Sequence, residues 1–149
     1  MPNEKTKELV SADEEQEVGR ALLLWLNTCP DKAVDRINFE FLPKDSPGMM
    51  LSTIHAAFKT RQYITGGYEA QYQFAIVYRT QPDDNDSRLA GDEELNAIGM
   101  WAEKNYHTLD IGSVLVRSVR RTSNASLLAV YDDGSRDHQI LMNLTYEVI

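Results

Sequence analysis

The architecture of this 149-residue chain is most clearly encoded in residues 61–79, RQYITGGYEAQYQFAIVYR. Two segments of alternating apolar and polar residues flank the pair Gly66-Gly67, which is typical of a β-hairpin. We expect both glycines to supply the positive φ angles of its turn. One face of the second strand is apolar at a spacing of two: Tyr72, Phe74, Ile76 and Tyr78. Gln71, Gln73 and Arg79 belong to the opposite face, where they can meet water or a neighbour.

The end of the chain predicts a second hairpin. Its strands are residues 127–131 and 140–148, and Asp132-Asp133-Gly134-Ser135 forms the turn between them. A further antiparallel strand is expected over 114–119, before a polar turn at Asn124. The residue pattern shows no internal repeat.

Two helices separate these strands. Ser11-Ala12-Asp13-Glu14 fits a capping box, and the first helix is expected to run from there to Pro30. A second helix is predicted from Asp92 to about Asn105. Between the helices, a strand that alternates through 37–41 is expected to stop at Pro43, and the type of segment 49–54 is left open.

The order of helix, strands, helix and strands lacks the βαβ alternation of a parallel sheet. The sequence therefore predicts an α+β fold, a mostly antiparallel sheet of hairpins with two main helices packed on one face. We expect residues 1–10 to form a flexible N-terminal arm and residues 11–149 a single domain.

Composition excludes several function classes. The formal net charge of −8 opposes non-specific binding to nucleic acid, which needs clustered basic residues. No apolar run approaches the length of a membrane-spanning helix. The single cysteine, Cys29, suits a reducing compartment and a buried structural position. We expect a soluble protein that binds neither membranes nor specific nucleic acid.

No motif carries recognisable chemistry. The three histidines, His55, His107 and His138, are too far apart in sequence for a local zinc site, and no glycine-rich phosphate loop is present. Residues 83–88 resemble the start of a calcium loop, but Arg88 stands where that loop needs glycine. A looser cation site at Asp83, Asp84 and Asp86 stays an alternative. We predict no enzyme and no catalytic, cofactor-binding or metal-binding residues.

Tyrosine-rich hairpins with few basic residues favour contact with protein. A cluster of arginines at the end of one strand could pair with acidic groups of a partner. The candidate interface residues are Tyr63, Thr65, Tyr68, Gln71, Gln73, Arg79, Arg117, Arg120 and Arg121.

The two hairpins carry a family resemblance. YITGGY (63–68) with QYQFAIVYR (71–79), together with the hairpin from YDDG (131–134) to LTY (144–146), resembles minor capsid and tail terminator proteins of tailed bacteriophages, in prophages of Gram-positive bacteria. The resemblance extends in element order from Ile37 to Ile149. It implies a virion tail protein, assembled in the cytoplasm of the host bacterium.

By this resemblance the subunit caps the tail tube and forms part of the head–tail joining surface. The implied partners are copies of itself in a ring, commonly a hexamer, the tail tube protein and a head–tail connector protein, with DNA passing through the ring. Two alternatives stay open: another head–tail connector or head-completion protein, and a small-ligand or cation-binding α+β module.

Overall fold

The computed structural model describes residues 8–30, 32–43, 47–81 and 87–149, except for the side chains of residues 87–89. In this part of the chain two helices, a 3₁₀ turn and a seven-stranded sheet are present: α1 (Ala12–Leu26), β1 (Ile37–Phe39), β2 (Gly48–Thr53), β3 (Phe58–Gln62), β4 (Tyr68–Thr80), α2 (Ser87–Asn105), the turn (Tyr106–Thr108), β5 (Leu115–Arg121), β6 (Ser126–Val130) and β7 (Arg136–Val148). The predicted α+β fold is confirmed.

Strands β4 and β7 form the centre of the sheet. They pair antiparallel along their full length, and the order across the sheet is β1-β2-β4-β7-β5. Strand β3 also pairs with β4, beyond the end of β2, and β6 pairs with β7 beyond the end of β5. On its outer side, β4 therefore pairs with β2 along one part of its length and with β3 along another. Strand β7 pairs with β5 and β6 in the same way. Of the described pairings, only that of β1 with β2 is parallel.

The first hairpin has the predicted position, and its two glycines have different roles. The Tyr63 N–H donates to the Gly67 carbonyl at 2.8 Å, and the Gly66 N–H donates to the Tyr63 carbonyl at 3.1 Å. Gly66 has a φ of 96°, as a three-residue hairpin loop requires. The expectation of a positive φ at Gly67 is wrong. Gly67 is needed for space, since a Cβ there would lie 2.4 Å from the carbonyl oxygen of Val148.

The second hairpin repeats the first at an offset of 68 residues, the separation of Gly66 and Gly134. Gly134 has a φ of 88°, and the Tyr131 N–H donates to the Ser135 carbonyl at 2.9 Å, as Tyr63 does to Gly67. The pairing of Phe58 with Gln71 recurs as Ser126 with Gln139. Strands β3 and β6 also carry a β-bulge at equivalent positions, one residue after Lys59 in β3 and one residue after Leu127 in β6.

A pseudo-two-fold axis follows from this offset. Phe74 of β4 pairs with Met142 of β7, and these two residues are themselves equivalent in the two hairpins. The axis therefore passes through the middle of the sheet at this pair. The expectation of no internal repeat is wrong at the level of structure. The two halves share few identical residues, since different side chains can satisfy the same burial and the same turn geometry.

The helices pack on one face of the sheet, as predicted. Alternate residues of β4 and β7 point into a single hydrophobic core that includes Leu22 of α1 and Ile98 of α2. The rings of Trp25 and Trp101 lie 4.9 Å apart and join the two helices. The opposite face of the central strands has no helix packed on it within the described residues.

Several element boundaries differ from those predicted. Helix α1 begins after the predicted cap, since the Ser11 side chain accepts from the Glu14 N–H at 3.1 Å, but it ends at Leu26, before Pro30. Helix α2 begins at Ser87 and not at Asp92. Strand β1 stops at Phe39, because the next residue, Glu40, has a φ of 52° and turns the chain out of the extended conformation.

Residues 8–10 line the outer edge of β3. The Val10 N–H donates to the Ala57 carbonyl at 3.0 Å, and the Lys59 N–H donates to the Glu8 carbonyl at 2.7 Å. This part of the predicted arm is therefore attached to the sheet. The rest of the arm, residues 1–7, lies outside the described residues, and its flexibility stays a prediction.

We predict that Gly67→Ala destabilises the protein by about 1–3 kcal/mol, because its Cβ would clash with the backbone of Val148. Gly66→Asn is the control, since no atom lies within 4 Å of its Cβ position and asparagine tolerates the left-handed conformation. Urea unfolding of the two variants measures the difference. An equal loss of stability in both would contradict the role assigned to Gly67.

Candidate protein interface

The sheet face turned away from the helices is rich in uncharged polar side chains. Between the two ends of this open face, the partly exposed residues of β4 and β7 are Gln71, Gln73, Gln139, Leu141, Asn143 and Thr145. Between them lie two buried small apolar residues, Ala75 and Val77. Along β4 and β7, the central part of the open face thus offers amide donors and acceptors on an apolar base, without a charged side chain.

A cluster of Tyr63, Glu147 and Arg117 lies at one end of the open face. The Tyr63 hydroxyl donates to Oε2 of Glu147 at 2.8 Å, and Nε of Arg117 lies 2.8 Å from Oε1 of the same carboxylate. Because Tyr63 starts the first turn and Glu147 lies on β7, this cluster ties one hairpin to the other. The hydrogen bond to Glu147 is the main cause that raises the pKa of Tyr63.

A corresponding cluster of Tyr131, Asp137 and Arg79 lies at the other end. Nε and Nη2 of Arg79 contact the two oxygens of Asp137 at 2.8 and 3.0 Å, a bidentate pair, and the Tyr131 hydroxyl donates to Oδ2 at 2.6 Å. The guanidinium also lies over the Tyr131 ring, 4.9 Å from its centroid. The hydrogen bond to Asp137 raises the pKa of both Arg79 and Tyr131. At both ends of the open face, an arginine is therefore paired with a carboxylate.

These two clusters contain three of the predicted interface residues, Tyr63, Arg79 and Arg117. Sequence reasoning missed their partners Glu147, Asp137 and Tyr131. One signal was available: a tyrosine stands three residues before the turn glycine in both hairpins, at 63 and at 131. The partners themselves come from distant parts of the chain and depend on the pairing of β4 with β7.

The tip of the first hairpin is exposed and partly apolar. Ile64 at this tip is fully exposed, and the predicted residue Thr65 beside it is exposed as well. Ile149 at the end of the chain is 90% exposed and lies next to Gly67. The tip thus adds an apolar contact surface beside the Tyr63 cluster.

Gln71 and Gln73 lie on the open face, as predicted. Arg120 is paired with Asn143 across β5 and β7, which places it on the same face, and it is exposed. Arg121, the next residue, belongs to the helix face. Its Nε donates to Oε1 of Glu103 at 2.8 Å, so it has a role inside the subunit.

Tyr68 also lies on the helix face. Its hydroxyl donates to Glu14 in α1, and the Tyr146 hydroxyl donates to the other oxygen of that carboxylate at 2.8 Å. Burial and the bond to Glu14 raise the pKa of Tyr68 to about 12 and also raise that of Tyr146. Glu14 was predicted as part of a capping box. Its carboxylate instead fastens α1 to both central strands.

The residues considered for chemistry have ordinary surroundings. Cys29 is buried, as expected. His138 is fully buried, and its Nδ1 lies 2.8 Å from Oδ1 of Asp92, whereas its Nε2 has no hydrogen-bond partner. Within the described residues, no three His, Cys, Asp or Glu side chains are grouped to hold a metal ion. The alternative cation site at Asp83, Asp84 and Asp86 lies outside the described residues.

Comparison with known proteins adds no assignment: no family model matches the chain, and no curated protein matches it. Of the helices in the described ranges, none combines the length and the apolar character needed to cross a membrane.

We predict that alkaline pH destabilises the protein through Tyr68 and Tyr146. A pKa raised above the ordinary 10.0 means that folding favours the protonated hydroxyl. The corresponding stability is complete below about pH 10 and declines as the pH rises, with the contribution of Tyr68 lost through about pH 12. Tyr68→Phe should make this decline shallower, and Tyr106→Phe, at a hydroxyl with no hydrogen bond in the described structure, should leave it unchanged. Urea unfolding between pH 8 and 12 measures the free energy of unfolding of the wild type and both variants. The same decline of this free energy with pH in all three proteins would refute the assignment.

Proposed function

We propose that this protein is a structural subunit that acts by binding other proteins, and that it is a tail terminator, which caps a phage tail tube and forms part of the head–tail joining surface. The observation that carries the proposal is the open face, whose amide-rich centre on β4 and β7 has no charged side chain and lies between two compensated charge clusters. Interface cores are depleted in charged residues and interface rims are polar, which fits this distribution. The family resemblance of the hairpins supplies the particular role.

The sheet edges support assembly into a ring. Within the described ranges, β1 and β6 have no strand partner on their outer sides, and both sides carry exposed apolar residues. Phe39 is 46% exposed at the β1 edge, and Leu128 and Val130 are 50% and 58% exposed at the β6 edge. Free edges of this kind favour pairing with another chain. Because the two edges differ, contact between them is head-to-tail, the type that generates rings.

The acidic composition fits a ring that surrounds DNA. A net charge of −8 disfavours adhesion to the phosphate backbone, so DNA could slide through the central opening. The same geometry also serves a head–tail connector or a head-completion protein, since each of these functions by assembly at the same joint.

We predict that Val130→Glu prevents assembly of the purified protein. The new carboxylate would face the apolar β1 edge of a neighbour, while residue 130 is 58% exposed within the subunit, so the charge can stay hydrated in the monomer. Leu24→Glu is the matched control, because Leu24 is an apolar residue of similar exposure, 66% against 58% for Val130, and it lies on α1 beside Thr108 and Asp110.

Native mass spectrometry over a concentration series tests this prediction. The wild-type protein and Leu24→Glu should form one closed oligomer, with or without added tail tube protein, and Val130→Glu should stay monomeric. A wild-type protein that is monomeric at every concentration and does not bind the tail tube protein would contradict the proposed function. A ring that persists in Val130→Glu would contradict the assigned contact.

A further inference from the structure

A cavity of about 420 Å³ lies between α1 and the strands β1 and β2. Leu23 and Phe39 form apolar walls, and Gly19, Thr53 and Tyr72 line the part nearest the sheet. This volume lies in the range of small-molecule sites, which combine apolar walls with a few polar groups.

The pseudo-two-fold axis shows that the cavity is particular to the first half of the chain. Gly19 of α1 lies over Tyr72, and Gly99 of α2 lies over Ile140, the equivalent residue of the second hairpin. In the second half the outer strand carries Arg121 at the position of Thr53. The Arg121 side chain fills the space against Gly99, with its Cδ only 2.7 Å from where a Cβ would be.

The first half has the same helix-to-sheet arrangement without this filling side chain. Thr53 is short, and its hydroxyl is bonded to the Tyr72 hydroxyl at 2.7 Å. Gly19 adds no side chain, and a Cβ there would lie 2.9 Å from the Tyr72 hydroxyl oxygen. Both halves have a glycine on the helix, so the open volume results from Thr53, which stands where the second half has the long side chain of Arg121.

Glu15 is the one acid among the residues of the described chain that line the cavity, beside the polar residues Gln16, Arg20, Thr53 and Tyr72. Oε1 of Glu15 accepts from the Ala57 N–H, and its Oε2 forms no hydrogen bond within the described structure. Glu40 lies close by, with both oxygens bonded to residues 52 and 53 of β2. The field of both carboxylates adds to burial in raising the pKa of Tyr72. Arg20 is the one cation among the described lining residues, and it is exposed.

We propose that this cavity binds a small organic cation with a flat apolar body, such as an arylalkylamine. The ammonium group would donate to Oε2 of Glu15, and the ring would pack against Leu23 and Phe39. Charge complementarity favours this occupant over an anion, since Glu15 has an oxygen without a hydrogen bond beside the hydroxyl groups of Thr53 and Tyr72, and the Glu40 carboxylate is held on the neighbouring residues of β2.

Three probes of similar size and different charge test the proposal: phenethylamine, phenylacetate and phenethyl alcohol. Chemical shifts of the backbone amides of the wild-type protein, titrated with each probe at millimolar concentration, report the binding. Phenethylamine alone should shift the amides of Gly19 and Thr53 in a saturable manner. Equal binding of phenylacetate or phenethyl alcohol, or no saturable shift with phenethylamine, would overturn the proposal.

Substitution of Glu15 then tests the assigned contact. Glu15→Gln keeps an oxygen that accepts from Ala57, so the fold is retained, and it should weaken phenethylamine binding by about tenfold because a charge-assisted bond is lost. Arg20→Gln is the control and should bind at least as tightly as the wild type. An unchanged affinity in Glu15→Gln would overturn the assignment of Glu15.

Discussion

The antiparallel pairing of β4 with β7 is the interaction on which the rest of the structure depends. It joins two 13-residue strands from opposite halves of the chain, with Phe74 opposite Met142 at its centre. Each strand has its own outer strand on the other side, so this pairing turns two hairpins into one sheet. It also sets which residues face the helices. A shift by one residue would move every core side chain of one hairpin to the open face.

The same pairing creates the open face and its two charge clusters. Tyr63 and Glu147 come from different hairpins, as do Arg79 and Asp137, and they meet because β4 and β7 lie side by side in this register. The carboxylate of Asp137 is almost fully buried, so loss of Arg79 would leave a costly unpaired charge. The ends of the open face are therefore fixed, and the amide-rich centre on β4 and β7, with the exposed Arg120 of β5 beside it, is the part that remains free to contact a partner.

The fold class followed from the sequence because it depends on local patterns. A spacing of two in 72–78 and glycines at 66 and 134 are sufficient to place the hairpins. The pairing of β4 with β7 could not be predicted from such local patterns, because the two strands lie far apart in the chain and the two halves share few identical residues. Ile140 takes the place of Tyr72 and Met142 that of Phe74, each satisfying the same burial with a different side chain.

The differences between the halves are as informative as their likeness. Gly67 could not be assigned its role from sequence, since the atom it avoids belongs to Val148 at the far end of the chain. The cavity under α1 was equally hidden. It arises because Thr53 stands where the second half has Arg121, a contrast that is visible only after the strands are aligned by structure.

Amide hydrogen exchange of the wild-type protein is the most direct test of this account. We predict that the slowest amides lie in β4 and β7 together, around Phe74 and Met142, and that protection falls toward the ends of both strands. Slow exchange in only one hairpin, or exchange in β4 and β7 as fast as in the short edge strand β1, would contradict the central pairing.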